Sequence, residues 1–540
     1  MRQGAGNWME RSLSDLRYAA RTLCRSPGTT IIVVLTLAVA IGANSAVFSM
    51  VDRVLLRPLP FPAADRLVRI TETERDVQDR GIAPLRLEDW NAMSSTFEAI
   101  TGYRVEDVSD TTGEIAERVR RATVMPRFLE VWGVAPALGR GFSAEEHRWG
   151  GPRAALISSR YWQRRFNRDP NVLGRTVRIG ADSYPIVGVM PEGFRFPDRD
   201  VDLWAAHPLD APFAQSRQLP WNTGIGRLKP GVTLEQARAD LALVQARLGE
   251  QYPDTDAAIV PRMVPLIDSI VGGIRGSLWL LFGAVCVLLL TACTNVTALL
   301  LTRAVRREQD IAIRFSLGAS RAAVFRQIVA ESIVLSLAGA LVSLLVVAGV
   351  FMAVRTLAPD LPRQDELGGD MRTFLYALAV ALLVAIVSGS FPALRAIHRP
   401  QSLSQWGRGQ VSSRHSLQWS LVSIQVALSV MLLVGAGLLL RSFDALSRVD
   451  EGFDPSDVLT FRVSASYGEP GGYDGIVQRI NNTLDELAAL PGVEATATSL
   501  MLPGIAARNE TEFQIVDGPA DPERPVTAEL RIVSPDYSRP

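Results

Sequence analysis

Five long stretches of the chain contain no charged residue. They hold 26, 27, 23, 22 and 26 residues and occupy positions 26–51, 276–302, 332–354, 373–394 and 415–440. A helix crosses a hydrocarbon layer of about 30 Å with roughly 20 residues, whereas helices buried in a large water-soluble core show shorter apolar runs broken by charges. The pattern predicts an α-helical membrane protein with five transmembrane helices, over residues 29–52, 276–302, 332–354, 373–394 and 417–440.

The first stretch shares one feature with a cleaved signal peptide, because arginines precede it. Its apolar run is longer than the roughly 7–15 residues of a signal sequence, and no clear cleavage site of small residues follows before Asp52. We therefore expect a retained first helix.

Arginines are concentrated on alternate connections between the predicted helices. Five precede the first helix, six lie in residues 303–331 and four lie in residues 395–416, whereas residues 355–372 carry four acidic residues. The positive-inside rule places the arginine-rich segments in the cytoplasm. We therefore predict a cytoplasmic N-terminus with an amphipathic helix in residues 1–28, a cytoplasmic linker at 395–416, and external segments at 53–275, 355–372 and 441–540.

Residues 53–275 are long enough for a folded domain with its own core. Residues 175–189 alternate in polarity around Gly180 and predict a β-hairpin. Thr233 and Gln236 form a capping-box pattern, which predicts the start of a helix. Because strand and helix signals are mixed, we predict an α+β domain.

The chain contains an internal repeat. Residues 48–70, after the first predicted helix, are echoed by residues 438–463, after the fifth, when Asp65 is aligned with Asp457. Further on, the stretch around Pro126 is echoed around Pro535. The repeat predicts that the external domain is duplicated and that residues 441–540 form an incomplete second copy.

Composition argues against two classes of function. The 56 basic and 56 acidic residues cancel, and nucleic-acid binding requires a basic surplus. The single lysine, Lys229, lies between Leu228 and Pro230, whereas a P-loop needs Gly-Lys-Ser/Thr so that the lysine reaches the phosphates. We predict that the chain is not an enzyme, does not hydrolyse ATP and needs no cofactor.

The sequence offers few other candidates for catalytic or metal-binding residues. The four histidines are isolated and lack metal-ligand spacing, so we predict neither a catalytic residue nor a metal site: His147, His207, His398 and His415. The run from Glu145 to His147 is interpreted as solvated loop surface. None of the three cysteines, at positions 24, 286 and 293, lies in a predicted external domain, so no disulfide framework is expected.

The apolar stretches carry no Asp, Glu, Lys or Arg, which argues against a proton- or sodium-driven carrier. Gly42 and Gly435 are expected to allow close helix packing. The polar residues are interpreted as hydrogen-bond partners between helices: Asn44, Ser45, Thr291, Thr294, Asn295, Thr297, Gln425 and the serines of the third to fifth helices.

Residues 295–332, NVTALLLTRAVRREQDIAIRFSLGASRAAVFRQIVAES, predict a helix leaving the membrane, a break at Gly318 and a helix re-entering. This segment resembles the signature of MacB/FtsX-type ABC permeases. The resemblance implies a cytoplasmic coupling elbow at 303–331 that docks on an ATPase subunit; a basic loop that only fixes topology is the alternative. The matching positions are Arg303, Arg306, Arg307, Glu308, Ile311, Ala312, Arg314, Gly318, Ala319, Arg321, Gln327, Glu331 and Ser332.

Other stretches are similar to the same family. Residues 161–197 and 226–241 resemble its MacB-like periplasmic core domain, which implies that fold for residues 53–275 and a partial copy at 441–540. Residues 15–30 and 55–70 resemble a duplicated permease branch known from acidobacteria, which often lacks an adjacent ATPase gene. Only five helices are present where that branch has eight, so a fragment or a truncated chain is expected. The fused ATPase domain of MacB proteins is also missing, which implies an energy source on another chain or none.

The resemblance implies a permease subunit in a bacterial inner membrane. It would transmit the ATP-driven motion of a separate ATPase to the external domain, for export of a substrate from the outer face of that membrane. Implied partners are the ATPase, the bilayer, a periplasmic adaptor with an outer-membrane channel, and a dimer or pseudo-dimer of the duplicated halves. Two alternatives stay open: an FtsX-like or sensor-type regulator of an external partner such as a cell-wall hydrolase, and a non-functional remnant.

Overall fold

The computed structural model describes residues 21, 23, 27–74, 77–180, 182–198, 200–212, 214–306, 313, 315–317, 320–357, 368–398, 416–449, 457–461, 463, 472–500, 510–513 and 526–538. The chain divides into two compact units. Residues 1–57 and 270–449 form the first, which we call the helical unit, and residues 58–269 and 450–540 form the second, which we call the α/β unit.

The described residues form helices and strands that we number in chain order. The helices are α1 (Pro27–Val51), α2 (Pro84–Met93), α3 (Phe128–Trp132), α4 (Ser159–Phe166), α5 (Leu234–Gln251), α6 (Pro253–Asp256), α7 (Leu266–Arg306), α8 (Arg321–Leu357), α9 (Met371–His398), α10 (Ser416–Ser447) and α11 (Gly472–Ala488). The strands are β1 (Leu67–Glu74), β2 (Val77–Arg80), β3 (Phe97–Asp110), β4 (Glu117–Val124), β5 (Leu138–Gly139), β6 (Ala155–Ile157), β7 (Thr176–Ile179), β8 (Asp182–Val189), β9 (Val201–Ala206), β10 (Thr223–Leu228), β11 (Ile259–Pro265), β12 (Glu510–Phe513) and β13 (Val526–Glu529).

Among the described residues, five helices are long and apolar enough to cross a membrane, as predicted. They comprise Pro27–Leu56, Leu266–Arg303, Arg321–Leu357, Met371–Leu394 and Val422–Ser447. Each helix extends beyond its charge-free stretch, because that stretch marks only the part of a helix suited to hydrocarbon. Helix α7, for example, begins at Leu266, whereas its predicted span begins at 276.

Four of these helices share one hydrophobic core. Leu37 of α1, Val296 of α7, Leu335 of α8 and Val384 of α9 all belong to it and are almost fully buried. A side chain at Gly42 would place its Cβ 2.7 Å from the Cβ of Val346, so α1 and α8 are in close contact there. The predicted close packing at Gly42 is confirmed.

Helix α10 differs from the other four. None of its apolar window is buried within the part of the chain that the structure describes. No described atom lies within 4 Å of a Cβ built at Gly435, so the close packing expected there is not found among those residues.

The α/β unit is built on an eleven-stranded mixed sheet with the order β11-β1-β10-β3-β4-β9-β6-β8-β5; β2 joins at β1, and β7 joins at β3 and β8. Strands β4 and β9 pair in parallel, as do β6 and β8. The predicted hairpin is β7–β8, with Thr176 opposite Pro185 and Ile179 opposite Asp182. The mixture of strands and helices confirms the α+β prediction.

Two hydrophobic cores stabilise the sheet. The first includes Ile70 of β1 and Trp90 of α2, and helix α5 packs on it through Leu241. The predicted capping box holds the start of α5, since the Thr233 hydroxyl accepts from the Gln236 amide and the Gln236 side chain accepts from the Thr233 amide. The second core includes Ile157 of β6 and Tyr161 of α4.

The described residues after 457 follow the element order that the repeat predicts. Helix α11 is followed by the antiparallel hairpin β12–β13 and then by a 3₁₀ turn at Pro535–Ser538. In the first copy, helix α2 is followed by the hairpin β3–β4 and then by helix α3, just after Pro126. The duplication and the predicted domain boundaries stay predictions, with this order in their favour.

Candidate functional site

The predicted coupling elbow lies largely outside the described residues. Arg303 and Arg306 lie at the end of α7, and Arg321 is the first residue of α8. The other candidate elbow residues lie outside the described part of the chain: Arg307, Glu308, Ile311, Arg314 and Gly318. The elbow therefore stays a prediction, flanked by two helices that the structure does define.

Two further family positions lie inside α8 and are buried. Glu331 is 7% exposed and Ser332 is 2% exposed. A Cβ at Gly389 of α9 would lie 2.6 Å from the Ser332 hydroxyl oxygen, so the two helices are in close contact at this level. Ser332 thus packs against α9, and neither position is part of an exposed docking surface.

The chain enters the sheet after α1 and leaves it before α7 at neighbouring positions. Strand β1 is the first strand after α1, and β11 runs directly into α7 with no residue between Pro265 and Leu266. The two strands are antiparallel, and Val68 at the start of β1 is opposite Pro265 at the end of β11. We call this strand pair the root of the domain, because both helices continue from it.

The segment that enters β1 is fixed to the α/β unit before the strand begins. The Phe61 ring packs on the buried Trp132 ring with centroids 4.6 Å apart. Arg227 of β10 donates through Nη1 to the Pro62 carbonyl at 2.9 Å and through Nε to the Val131 carbonyl at 2.7 Å. The chain is thereby held in place a few residues before the root.

A buried ionic cluster stiffens the root itself. Arg86 of α2 is 1% exposed and donates to Glu72 of β1 at 2.6 Å and to Asp256, just before β11, at 2.7 Å. Arg217 adds a second bond to Asp256 at 2.8 Å. Burial alone would raise the pKa of Asp256, but the bonds from Arg217 and Arg86 outweigh it and hold that pKa well below its usual range.

A second ionic group lies in the helical unit, where α1 ends. A π-helical turn at Asp52–Leu56 continues α1, and its spacing brings the Arg57 amide to the Asp52 carbonyl at 2.8 Å. The Arg57 guanidinium donates to the Asp52 carboxylate at 2.7 Å and also bonds to Asp370. Arg53 donates to the Gly368 carbonyl at 2.7 Å. These contacts tie the end of α1 to the start of α9.

We call Asp52, Arg53, Arg57, Asp370 and Arg372 the clasp. Asp370 is also the N-cap of α9, because its carboxylate accepts from the Thr373 amide at 3.0 Å and from the Thr373 hydroxyl at 2.7 Å. Burial opposes ionisation of Asp370, but the bonds from Arg57 and Thr373 outweigh it and hold its pKa well below the usual range. Asp370 is thus ionised at neutral pH.

Polar contacts between the apolar segments of α1, α7 and α9 add to the link that the clasp makes between α1 and α9. The Tyr376 hydroxyl of α9 donates to the Asn44 side-chain oxygen of α1 at 2.7 Å, and the Tyr376 ring stacks on Phe48 with centroids 3.7 Å apart. The Asn44 amide also reaches the Cys286 sulfur of α7 at 3.5 Å. Asn44 is therefore the helix-to-helix partner that the sequence predicted.

Three threonines of α7 contradict the prediction that the polar residues of the apolar stretches form hydrogen bonds between helices. Thr291, Thr294 and Thr297 each donate to the carbonyl four residues earlier in their own helix, at 2.9, 2.9 and 2.7 Å. A threonine hydroxyl readily takes this local acceptor, so it needs no partner on another helix.

The interpretation of residues 145–147 as solvated surface is wrong for two of the three. Glu146 and His147 are 7% and 9% exposed. Glu146 bonds to Arg140 at 2.7 Å, and the His147 Nδ1 lies 3.1 Å from the His207 carbonyl. Burial lowers the pKa of His147, so the ring is neutral at pH 7. The described residues contain no group of three or more metal-binding side chains.

No sequence pattern identified the clasp residues as a group. One local signal was present, since an Asp directly before an apolar helix is a typical N-cap residue. That signal identifies Asp370 as a cap. It says nothing about Arg57, which lies 313 positions away in the chain.

The chain resembles known proteins in both units. The family model of the MacB-like periplasmic core domain matches residues 30–244, and that of the FtsX-like permease C-terminal region matches residues 282–401. The pyoverdine export ATP-binding/permease protein PvdT of Pseudomonas entomophila is 25% identical over 272 residues, which is 48% of this chain and 39% of that protein. Its counterpart from Pseudomonas syringae pv. tomato is 24% identical over 265 residues, with the same shares.

The chain thus spans about two fifths of the length of these curated relatives. Among solved structures, the periplasmic region of MacB from Actinobacillus actinomycetemcomitans is 12% identical, with a TM-score of 0.30, over 39% of this chain and 94% of that one. The two family models, which together cover more than half of the chain, show that it belongs to the MacB/FtsX-type family of ABC transporter permeases.

Proposed function

We propose that this chain is the force-transmitting permease subunit of an export system driven by a separate ABC ATPase. The observation that carries the proposal is the way in which α1 and α7 continue into the sheet. Helix α7 leaves β11 without a connecting residue, and only Pro58, Leu59 and Pro60 separate the clasp residue Arg57 from the anchored Phe61. Proline fixes its own φ angle, so two of these three residues have restricted backbone freedom.

A displacement of the helices would then act on one strand pair. An ATPase bound at the predicted elbow, residues 303–331, would move α7 and α8. Helix α8 packs on α1 at Gly42, and the clasp ties α1 to α9. Because α1 and α7 both lead to the root, a change in their relative position would shear β1 against β11.

Export is favoured over control of an external enzyme by the relatives, both of which are named as pyoverdine exporters. The arginine distribution supports a cytoplasmic N-terminus and elbow in a bacterial inner membrane, with the α/β unit outside. A reporter fused after residue 270 or 365 is expected to be external, and one fused after 310 or 405 cytoplasmic. An external reporter at 310 would overturn the orientation.

The coupling is tested with the full chain and candidate ABC ATPases of the same organism. Co-purification identifies the partner, and ATP hydrolysis by the pair in liposomes measures coupling; the chain alone is expected to hydrolyse no ATP. Ile311→Asp is expected to abolish stimulation, since docking needs an apolar contact on the elbow. The matched control is Ile115→Asp, at an 83% exposed position between β3 and β4.

Two results decide the proposal. Loss of stimulation in Ile311→Asp, with normal membrane insertion and normal stimulation in Ile115→Asp, would support the elbow as the ATPase contact. Equal binding and equal stimulation by wild type and Ile311→Asp would show that the elbow only anchors the topology.

A further inference from the structure

Glu72 of β1 is a buried acidic residue whose two carboxyl oxygens have different surroundings. Its side chain is 0% exposed and lies on the face of β1 that also carries Val68 and Ile70, both members of the first hydrophobic core. One oxygen, Oε1, accepts from Arg86 of α2 at 2.6 Å. The other, Oε2, is buried and has no hydrogen-bond partner among the described residues. An ionised carboxylate in this position would leave one charged oxygen without a donor, which is costly in a core.

The guanidinium group that bonds to Glu72 is shared with a second carboxylate. Arg86 also donates through Nε to Asp256 at 2.7 Å. Asp256 accepts further bonds from Arg217 at 2.8 Å and from the Thr255 hydroxyl at 2.6 Å. Asp256 thus has donors on three residues, whereas Glu72 has a donor on one. Of the two carboxyl groups bonded to Arg86, that of Glu72 is therefore the less stabilised in its ionised form.

Arg80 of β2 faces Glu72 but does not supply the missing donor. It is opposite Glu72 in the strand pairing, and its guanidinium group pairs with Glu74. On the other side of β1, the residue opposite Glu72 is Pro261 of β11, which has neither an N–H group nor a side-chain donor. Burial raises the pKa of Glu72 to about 7, even though the charge of Arg86 lowers it.

We propose that Glu72 is a proton-binding site of the root, occupied at mildly acidic pH and empty at alkaline pH, which makes the pairing of β1 with β11 sensitive to the surrounding pH. A proton on Oε2 removes the buried charge that has no donor, while Oε1 still accepts from Arg86. Because the folded-state pKa lies above the ordinary value of 4.5, the proton stabilises the root fully below about pH 4.5, and this stabilisation is lost as the pH rises through about 7.

Hydrogen exchange of the purified full chain, followed by mass spectrometry, tests the proposal from pH 5 to pH 8. Glu72→Gln keeps the shape of the protonated side chain and carries no charge at any pH. The exchange rate of wild type is divided by that of Glu72→Gln for peptides from β1 and β11, so that the intrinsic effect of pH on exchange cancels. This ratio is expected to rise at least about tenfold between pH 5 and pH 8, since wild type loses the proton over that range.

Asp240→Asn is the matched control, because it makes the same change from carboxyl to amide on α5. Burial opposes ionisation of Asp240, but the bonds from Ser94, Thr96 and Ser95 outweigh it and lower its pKa to about 2. Asp240 therefore stays ionised from pH 5 to pH 8. The ratio of exchange rates between wild type and Asp240→Asn is expected to be the same at both ends of this range.

Infrared difference spectra of wild type between pH 8 and pH 5 give a second measurement that needs no variant. A carboxylic-acid C=O band is expected to grow as the pH falls and to be weaker by one group in Glu72→Gln. A ratio of exchange rates for Glu72→Gln that stays constant from pH 5 to pH 8 would overturn the proposal, and so would absence of the infrared band. Neither measurement needs an ATPase or a transported substrate, so both are independent of the proposed export function.

Discussion

Helices α1 and α10 have similar sequences and different surroundings. Each is a charge-free run followed by an Asp–Arg ion pair, and the internal repeat places Asp52 opposite Asp444. The apolar window of α1 is 56% buried, whereas none of the α10 window is buried within the described part of the chain. The Asp52 side chain is 10% exposed, and that of Asp444 is 56% exposed.

The difference shows that an Asp–Arg ion pair alone does not hold the end of a helix against a neighbouring helix. Arg448 bonds to Asp444 at 2.9 Å on the surface of α10, and an exposed pair of this spacing contributes only about 0.3–0.5 kcal/mol. In α1 the corresponding pair gains a second carboxylate, Asp370, which also caps α9. The second carboxylate converts a local pair into a link between two helices.

The largest expected effect comes from separating α1 from α8. Gly42→Val would place a Cβ 2.7 Å from that of Val346 and is expected to destabilise the chain by about 3 kcal/mol, as over-packing in a tight contact does. Gly435→Val on α10 is the control and is expected to change little, because no described atom lies within 4 Å of it. Thermal unfolding of the purified chain measures both, and equal loss would mean that α10 is packed as tightly as α1.

Removal of the second carboxylate is expected to have the next largest effect. Asp370→Asn deprives Arg57 of a charged acceptor and weakens the cap of α9, which should cost about 2 kcal/mol. Asp444→Asn breaks only the exposed pair on α10 and should cost about 0.5 kcal/mol or less. Chemical unfolding compares the two variants, and similar losses would show that the clasp is no stronger than a surface ion pair.

A smaller effect is expected from the polar contact inside the helices. Tyr376→Phe removes the hydroxyl bond to Asn44 and leaves the ring stack on Phe48, at an expected cost of about 1 kcal/mol. The repeat places Ala436 of α10 where α1 has Asn44, so α10 has no equivalent bond. A double-mutant cycle with Asn44→Ala measures the coupling, and full additivity of the two changes would show that the bond contributes nothing.

The smallest effect is a pH dependence of the clasp. The folded-state pKa of Asp370 lies below its ordinary value of 3.8, so its contribution to stability is complete above that value and is lost as the pH falls below it. The stability difference between wild type and Asp370→Asn is therefore expected to be constant from about pH 8 to about pH 5 and to shrink below about pH 4. A difference that shrinks already between pH 7 and pH 5 would contradict the assignment of an ionised, bonded Asp370.

The sequence by itself determined the features that depend on a few neighbouring residues. The five described helices that are long and apolar enough to span a membrane follow from runs of apolar residues long enough for a hydrocarbon layer. The hairpin around Gly180 and the capping box at Thr233 follow from backbone geometry and from hydrogen bonds within four positions. The family resemblance also lay in contiguous segments, and the matched family models confirm it.

Only the tertiary structure decided which of two similar helices is buried. The choice depends on Asp370, Tyr376 and Val346, which lie about 300 positions from their partners on α1 and carry no sequence signal that names those partners. The same holds for Glu146, which bonds to Arg140, and for the pairing of β1 with β11. Contacts between distant segments are set by packing and by the pairing of charges, and a local pattern determines neither.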